Sequence, residues 1–510
     1  MLEEHCRAHP QKLAVICDAA RHTYPELRER VYRLANVLNA AGVERGGRVL
    51  WLGQNSHRVL EGLLASACIG ASFCPVNWRQ SPAELAFVID DLAPGLVIWQ
   101  NEEIGTIVAQ ARELATYTGG LWLQHDAEGA GSYEAALSAA SPQWQTREID
   151  ADDPVLIMYT AAFQGRPNGA MLSQTNVMTQ DLILARAQDL SSDTVFLNSG
   201  PLFHIGTLQF TFATFHLGGT NVFVRRSDSK TIAESIHEHR CTYGFIVGKT
   251  IQEIVALNSD GRYDLKCFRA QHMAYDTEWA KAWAEMVTVL STEQLPRYGG
   301  FGQTEVTGLA ALIYYAPNGV GTHGRPTPAA HMRILDNDGN ELPAGEVGEI
   351  VVRGPLVMKG YYNRPEINAV RQRNGWHHTN DLGKRESDGS ISFIGPKMQM
   401  IKSGVENIYP AEVEGCLRQH PAVADCAVIG VPDPVWVQNV KAIVQLAPGV
   451  QVAADEIIEH CRTRLASYKK PKFVEFVTAI PRKSPFEIDY RALDEQFGGG
   501  NYPGAGTPDA

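Results

Sequence analysis

The chain is poor in the features that would send it to an oxidising compartment, a nucleic acid or a metal. Its nine cysteines stand at 6, 17, 68, 74, 241, 267, 416, 426 and 461, and no two form a CxxC pair. An odd, dispersed set reads as reduced, mostly structural thiols in the cytoplasm, with a catalytic cysteine left open. Basic residues are in deficit: 45 Lys and Arg against 57 Asp and Glu give a net charge of −12. That argues against a nucleic-acid surface. It does not exclude an anionic ligand, because backbone N–H groups and a few local cations suffice for phosphate. There is no HExxH and no cysteine cluster, and the adjacent His377 and His378 lack metal-ligand spacing. No tightly held transition metal is expected. The opening MLEEHCRAHPQK has neither the basic start nor the apolar run of a signal peptide. The most apolar early stretch, Val59 to Val76, is broken by Glu61, cysteines, glycine and proline. It reads as a buried helix running into a strand rather than a membrane span. No internal repeat and no long low-complexity block occurs.

What is present is a long, ordinary globular composition: 510 residues, 44% hydrophobic and 20% charged, enough for more than one core. Short apolar runs alternate with longer helix-period segments. A helix is expected over 23–41, a strand at 48–52, a helix near 56–69, a strand at 71–76, a helix at 82–90 opened by Pro82, and a strand at 95–99. The rhythm returns at 175–186, 196–203, 220–226 and 230–240. It indicates α/β layers around a largely parallel sheet. From 331 onward the period changes to two, broken by glycines, as in a mainly β subdomain. A small α/β unit follows: helix 410–419, strands 424–430 and 440–446, helix 454–466 and a strand near 473–477. The closing GGGNYPGAGTPDA is too rich in Gly and Pro for a core element.

Five ordered motifs carry the chemistry. The first, YTAAFQGRPNG at 159–169, follows an apolar strand. Gly165 and Gly169 could offer N–H groups to an anion, or the loop could be a shaped surface turn. The second is FGQTE, Phe301 to Glu305. The third is HTNDLG, His378 to Gly383, in which Asp381 is either a two-oxygen acceptor or a turn residue. The fourth is GPKMQMIKSGVENIYPAEVE, 395–414. The last is PRKSPFEIDYRAL, 481–493.

Together these resemble the nucleotide-site motifs of acyl- and aryl-CoA synthetases of the adenylate-forming superfamily, over nearly the whole chain. The resemblance implies a large multi-layer adenylate-forming domain with a β subdomain over 1–397, a small mobile α/β domain over 398–496, and a flexible tail over 497–510. It implies ATP or its AMP moiety, Mg²⁺ and CoA as ligands, and a carboxylic acid or its acyl-adenylate as substrate. CoA against a carrier-protein acceptor stays open, as does a homodimer. In this reading Thr304 approaches the α-phosphate and Glu305 holds Mg²⁺, a hard cation that prefers oxygen ligands. Phe301 stacks on adenine, Asp381 accepts from the ribose hydroxyls, and Gly404 lies near the pantetheine route.

The departures from the family pattern are equally specific. Where YTSGTTGxPKG is usual, Ala161, Ala162, Phe163 and Gln164 replace the small residues, and Asn168 replaces the lysine. In 395–414, Pro396, Met398, Gln399 and Val405 replace the arginine, lysine, aspartate and second glycine. The general catalytic lysine near the C-terminus falls on Glu487, with Phe486 for the preceding glycine. A carboxylate about 4 Å from phosphate charge would cost roughly 4 kcal/mol at an effective dielectric near 20, unless Glu487 sits in solvent. Lys469, Lys470, Lys472, Arg482 and Lys483 are nearby in sequence as substitute cations, though each also reads as a solvated side chain.

On the acid side, PLFHIGTL at 201–208 places His204 near the acyl carboxylate or tunnel mouth by the same resemblance, or simply as a packed histidine. Residues 242–249 and 269–275 should line the acyl pocket. The bulk and polarity of Gln271, His272, Met273 and Tyr275 suit an aromatic or oxygenated acid better than a straight acyl chain. The expected function is a divergent acyl- or aryl-CoA ligase with impaired ATP activation, in the limit performing only the acyl-transfer half. The alternative is a non-catalytic acyl-, nucleotide- or CoA-binding homologue that supports a partner enzyme.

Overall fold

The computed structural model describes residues 1–160, 167–246, 248–270, 277–290, 300–313, 324–336, 338–396, 400–404, 406–408, 410–484, 487–500 and 502; at 394–396, 407, 411, 483, 484 and 487 it describes the backbone only. Phe163, Gly165 and residues 271–275 therefore lie outside the described residues.

The expected alternation is present. Strands Leu121–Gln124, Leu96–Trp99, Arg48–Leu52, Ser72–Pro75 and Pro154–Thr160 lie side by side and parallel. Asn168–Ser173 and Gly360–Tyr361 extend this sheet antiparallel to seven strands. A second sheet sets Tyr243–Gly244, Val195–Asn198, Thr220–Phe223 and Leu13–Cys17 parallel, with Ala20–Thr23 antiparallel at its edge. The helices between them start where the sequence supplies caps. Thr23 accepts from Glu26 N while Glu26 returns to Thr23 N, and Ser81 and Glu84 do the same ahead of Pro82–Leu92. Each box satisfies two N–H groups that the first turn would leave orphaned. The apolar face of Tyr24–Ala40 (Leu27, Val31, Leu34, Leu38) is fully buried, as its spacing requires.

The change of period after 331 marks an antiparallel sheet of Ala311–Ile313, Gly324–Pro326, Ile391–Pro396, Trp376–Arg385, Val347–Arg353 and His331–Leu335, with Gln372–Arg373 beside it. The fold is thus a large α/β N-terminal domain with mixed sheets, followed by a smaller α/β C-terminal domain.

In that smaller domain, Val423–Asp433 and Val437–Leu446 form a long hairpin, flanked by Ile401–Ser403 and by Phe473–Val477. Alternation along the strand separates two faces. Cys426 and Val428 pack under the helices Pro410–Leu417 and Ala454–Arg462. Ala427 and Ile429 pack on the other side against Ile488, Tyr490 and Leu493. The start of the expected tail is held to this sheet. Tyr502 donates to Asp494 Oδ1 at 2.8 Å and accepts from Gly430 N at 3.0 Å, and Gln438 Nε2 donates to Gly500 O at 2.7 Å. All nine cysteines are free thiols. Among the described residues, no helix is long and apolar enough to cross a membrane.

Candidate active site

The FGQTE segment forms a tight antiparallel turn, with Gly302–Gln303 paired to Gly308–Leu309 and a single 3₁₀ turn at Thr304–Val306. The turn closes through Thr307, at φ 57°, and Gly308, at φ 117°; the second conformation is one that glycine adopts without strain. Glu305 faces Tyr361, whose hydroxyl donates to Oε1 at 2.6 Å. Gln303 Nε2 donates to Thr379 O at 3.0 Å and to the Asp381 carboxylate. The turn and the strand Trp376–Arg385 therefore bring the segment of Thr304 and Glu305 beside Asp381. Burial pushes the Asp381 carboxyl up to about 7; the nearby Glu305 charge adds to this, while the Gln303 hydrogen bond opposes it. Glu305 offers hard carboxylate oxygen, and Mg²⁺ characteristically takes one or two carboxylates plus phosphate and water. The donor set fits that ion.

Phe301, expected to stack on adenine, precedes the turn. It is 8% exposed, in a cluster with Val306, Ala310 and Ile350, and its ring lies 5.9 Å from that of Phe393. The ring is largely withdrawn from solvent by this cluster.

Asn168 opens the strand Asn168–Ser173, opposite Thr160. It is 3% exposed, and its Oδ1 accepts from Arg364 Nε at 3.1 Å. Arg364 also pairs with Asp91 at 2.8 Å, and Tyr159 donates to the other Asp91 oxygen at 2.8 Å. Asn168 is thus part of a buried polar chain. Gly169 sits in the ladder opposite Tyr159, and a Cβ there would come within 2.7 Å of Ile157 Cγ2. Its side-chain-free position is explained by packing.

His204 heads the helix Ile205–His216. Its Nε2 lies 3.3 Å from Glu406 Oε2. Glu406 belongs to the smaller domain, in the hairpin that joins Ile401–Ser403 to Glu406–Ile408. Gly404, at φ 60°, makes the turn and donates its N–H to Trp436 O at 2.7 Å. Burial pushes Glu406 up, but His204, Arg79 and Lys402 outweigh it and hold the carboxyl below its ordinary value. Arg79 lies over the Trp78 ring at 4.5 Å and the Phe203 ring at 5.7 Å. The sequence reading missed Glu406. Its signal was present, two residues beyond Gly404, but a carboxylate beside a turn has no partner in one dimension.

Three of the nearby cations are engaged elsewhere. Lys469 is buried, not solvated, between Glu84 and Glu412. Lys472 pairs with Asp433, and Arg482 with Asp425. The backbone of Glu487 pairs with Arg482–Ser484, and the adjoining Ile488 packs on the sheet face opposite the helices that bear Glu412 and precede Lys469. Elsewhere, His22, His57 and Glu61 cluster with potential metal-ligand atoms within 4.8 Å of one another. The Glu61 carboxylate there is already taken by Arg30 and Tyr133.

Residues 2–362 match the AMP-binding enzyme family, and residues 412–486 match the AMP-binding enzyme C-terminal domain. The chain belongs to the AMP-binding enzyme family. It is 36% identical over 495 residues to a feruloyl-CoA synthase of Amycolatopsis, covering 96% of this chain and 97% of that one. It is 31% identical to the indoleacetate–CoA ligase of Aromatoleum aromaticum, covering 94% of each. Among solved structures, a double mutant of o-succinylbenzoate CoA synthetase from Bacillus subtilis, bound to its product analogue, superposes with a TM-score of 0.81 at 25% identity and 97% coverage of each chain. Apo MatB from Rhodopseudomonas palustris gives 0.65 at 27% identity, covering 97% of this chain and 99% of that one.

Proposed function

We propose that the protein is an acid–thiol ligase of the aryl- or acyl-CoA type whose thioester-forming half is intact and whose ATP-activating half is weakened. The observation that carries this is the approach of Glu406 to His204 across the two domains, with the backbone of position 487 on the far face of the small sheet. That arrangement suits attack on an acyl-adenylate, for which the family's C-terminal lysine is not needed.

In this reading a carboxylate oxygen attacks the α-phosphorus of ATP, giving acyl-AMP and pyrophosphate. A thiolate then attacks the acyl carbon, and AMP leaves with the bonding pair. Asp381 accepts from the ribose hydroxyls, and Thr304 faces the α-phosphate. Glu305, oriented by Tyr361, would hold Mg²⁺, which supplies charge neutralisation on the phosphates. His204 takes the thiol proton, and Glu406 orients its ring. The first step lacks cations at two family positions: Asn168 is neutral and buried against Arg364, and Glu487 is acidic. Positive charge facing the developing phosphate charge is a large part of such catalysis. The relatives' names favour an aromatic acid.

Two assays test this. Pyrophosphate release is followed with ATP, Mg²⁺ and a panel of aromatic acids, ferulate and indoleacetate included. Thioester is followed from synthetic acyl-AMP and CoA. Thioester in the second with slow or no release in the first is the expected result. Brisk release in the first overturns the impairment. No product in either, with saturable ligand binding, identifies a binding protein instead.

A further inference from the structure

A buried charge network lies across the junction of the two domains, apart from the site itself. Lys469 of the smaller domain is 4% exposed. Its Nζ donates to Glu412 Oε1 of the same domain at 2.6 Å and to Glu84 Oε1 of the large domain at 2.8 Å. The second Glu84 oxygen is already engaged in the helix cap, accepting from Ser81 N at 2.8 Å. Neutral bonds flank the charged one. Ser81 Oγ donates to Arg464 O at 2.7 Å, and Asn77 Nδ2 donates to Tyr468 OH at 3.3 Å. The segment 77–84 is thus stitched to 464–469, and the same segment carries Arg79, which faces Glu406.

Two carboxylates share one ammonium, and Glu412 Oε2 finds no hydrogen-bond partner among the described atoms. With both carboxyls ionised the group is one positive charge short, and a proton retained on Glu412 balances it. Burial pushes the Glu412 carboxyl up, against the pull of Lys469. Burial alone would push the Lys469 ammonium down; the two carboxylates outweigh it and push it up. Buried ion pairs add little net stability over apolar packing, but they penalise every arrangement that leaves a member unpaired. Only one contact in this triad crosses between domains. If the small domain turns away, Lys469 and Glu412 travel together, and Glu84 is left to solvent.

We infer that Lys469 and Glu84 are positioning residues for the thioester step: their cross-domain pair selects the one docking of the small domain in which Glu406 meets His204. This rests on the proposed function, and it adds a device for choosing between the two half-reactions. The electrical imbalance makes the docking releasable. Glu412 competes with Glu84 for the ammonium, so removing the Glu412 charge should tighten the cross-domain pair rather than loosen it.

The test uses the full chain with Glu84→Gln, Glu412→Gln and Lys469→Met. Fluorophores are placed on exposed positions of the two domains through non-cysteine chemistry, and the interdomain distance distribution is read by energy transfer. Thioester formation from acyl-AMP and CoA, affinity for an acyl-AMP mimic and the melting profile are measured alongside. Glu84→Gln and Lys469→Met are expected to shift the distribution away from the docked distance. They should slow thioester formation by about tenfold or more, with affinity for the mimic held within about twofold. Glu412→Gln is expected to keep the docked distance and the rate, or to raise both. Parallel losses of rate and melting temperature in Glu84→Gln and Glu412→Gln, with an unchanged distance distribution, would overturn the assignment in favour of a purely structural triad. If the wild-type chain makes no thioester, the ligase reading fails and the role in the thioester step fails with it, while the distance distribution alone reports whether the pair holds the docking.

Discussion

His204 Nε2 and Glu406 Oε2 stand 3.3 Å apart, one at the head of a large-domain helix and the other in a small-domain hairpin. A contact of this kind exists only while the two domains hold one relative orientation. Replacing His204 with Ala should slow thioester formation from acyl-AMP by about 10²-fold, the scale of a lost general base. Glu406→Gln keeps the ring's neighbour but removes its charge, and should cost less, about tenfold. Single-turnover thioester assays measure both. Equal, negligible effects would remove the pair from the chemistry.

Asp381 sets a pH dependence. Its carboxyl is pushed from an ordinary 3.8 up to about 7. A folded-state value above the unfolded one means that ionisation works against the fold, so stability is lost as pH rises between these two values. Asp381→Asn should therefore raise the melting temperature more at pH 8 than at pH 5. Ribose hydroxyls bind best to the ionised acceptor, so the wild type's affinity for adenosine, which carries no titrating phosphate, should fall by up to about tenfold per pH unit below 7. The Asn variant should show a flat profile in the same titration.

At the two divergent cation positions the expected outcomes differ. Glu487→Lys should raise pyrophosphate release at least about tenfold, since it replaces repulsion with attraction at the phosphate. Asn168→Lys should not help. It would bring a second cation against Arg364 and remove the Oδ1 acceptor, costing about 1–3 kcal/mol of stability. Pyrophosphate release and chemical denaturation distinguish these two outcomes.

Tyr361→Phe removes the hydroxyl that donates to Glu305 at 2.6 Å. A lost hydrogen bond to a charged group is worth about 1 kcal/mol or more. The Mg²⁺ concentration for half-maximal ATP-analogue binding should rise by roughly fivefold, while binding without metal stays unchanged. A metal titration of both proteins reads this directly.

Much of the fold was legible in one dimension because its signals are local. The helix periods expected over 23–41 and 82–90, Pro82 at the head of the second, and the change to a period of two after 331 all act within a few residues. Thr304, Glu305 and Asp381 were legible as candidates as well, since they stand in tight, ordered motifs. The packing of Phe301 beside Phe393 was not legible, because an aromatic beside a turn reads alike whether it faces a ligand or a core. Lys469 was misplaced because a lysine in a KK pair looks solvated until Glu84, 385 residues earlier in the chain, closes over it.

Residue order is thus enough to specify the layers, the Thr304–Glu305 turn and the neutral and acidic residues at 168 and 487, since each depends on neighbours along the chain. The burial of Asn168 against Arg364, the raised carboxyl of Asp381 and the meeting of Glu406 with His204 arise only when distant segments exclude water together. Charge energies depend on local dielectric and on partners in space, and neither is written in any single stretch of sequence.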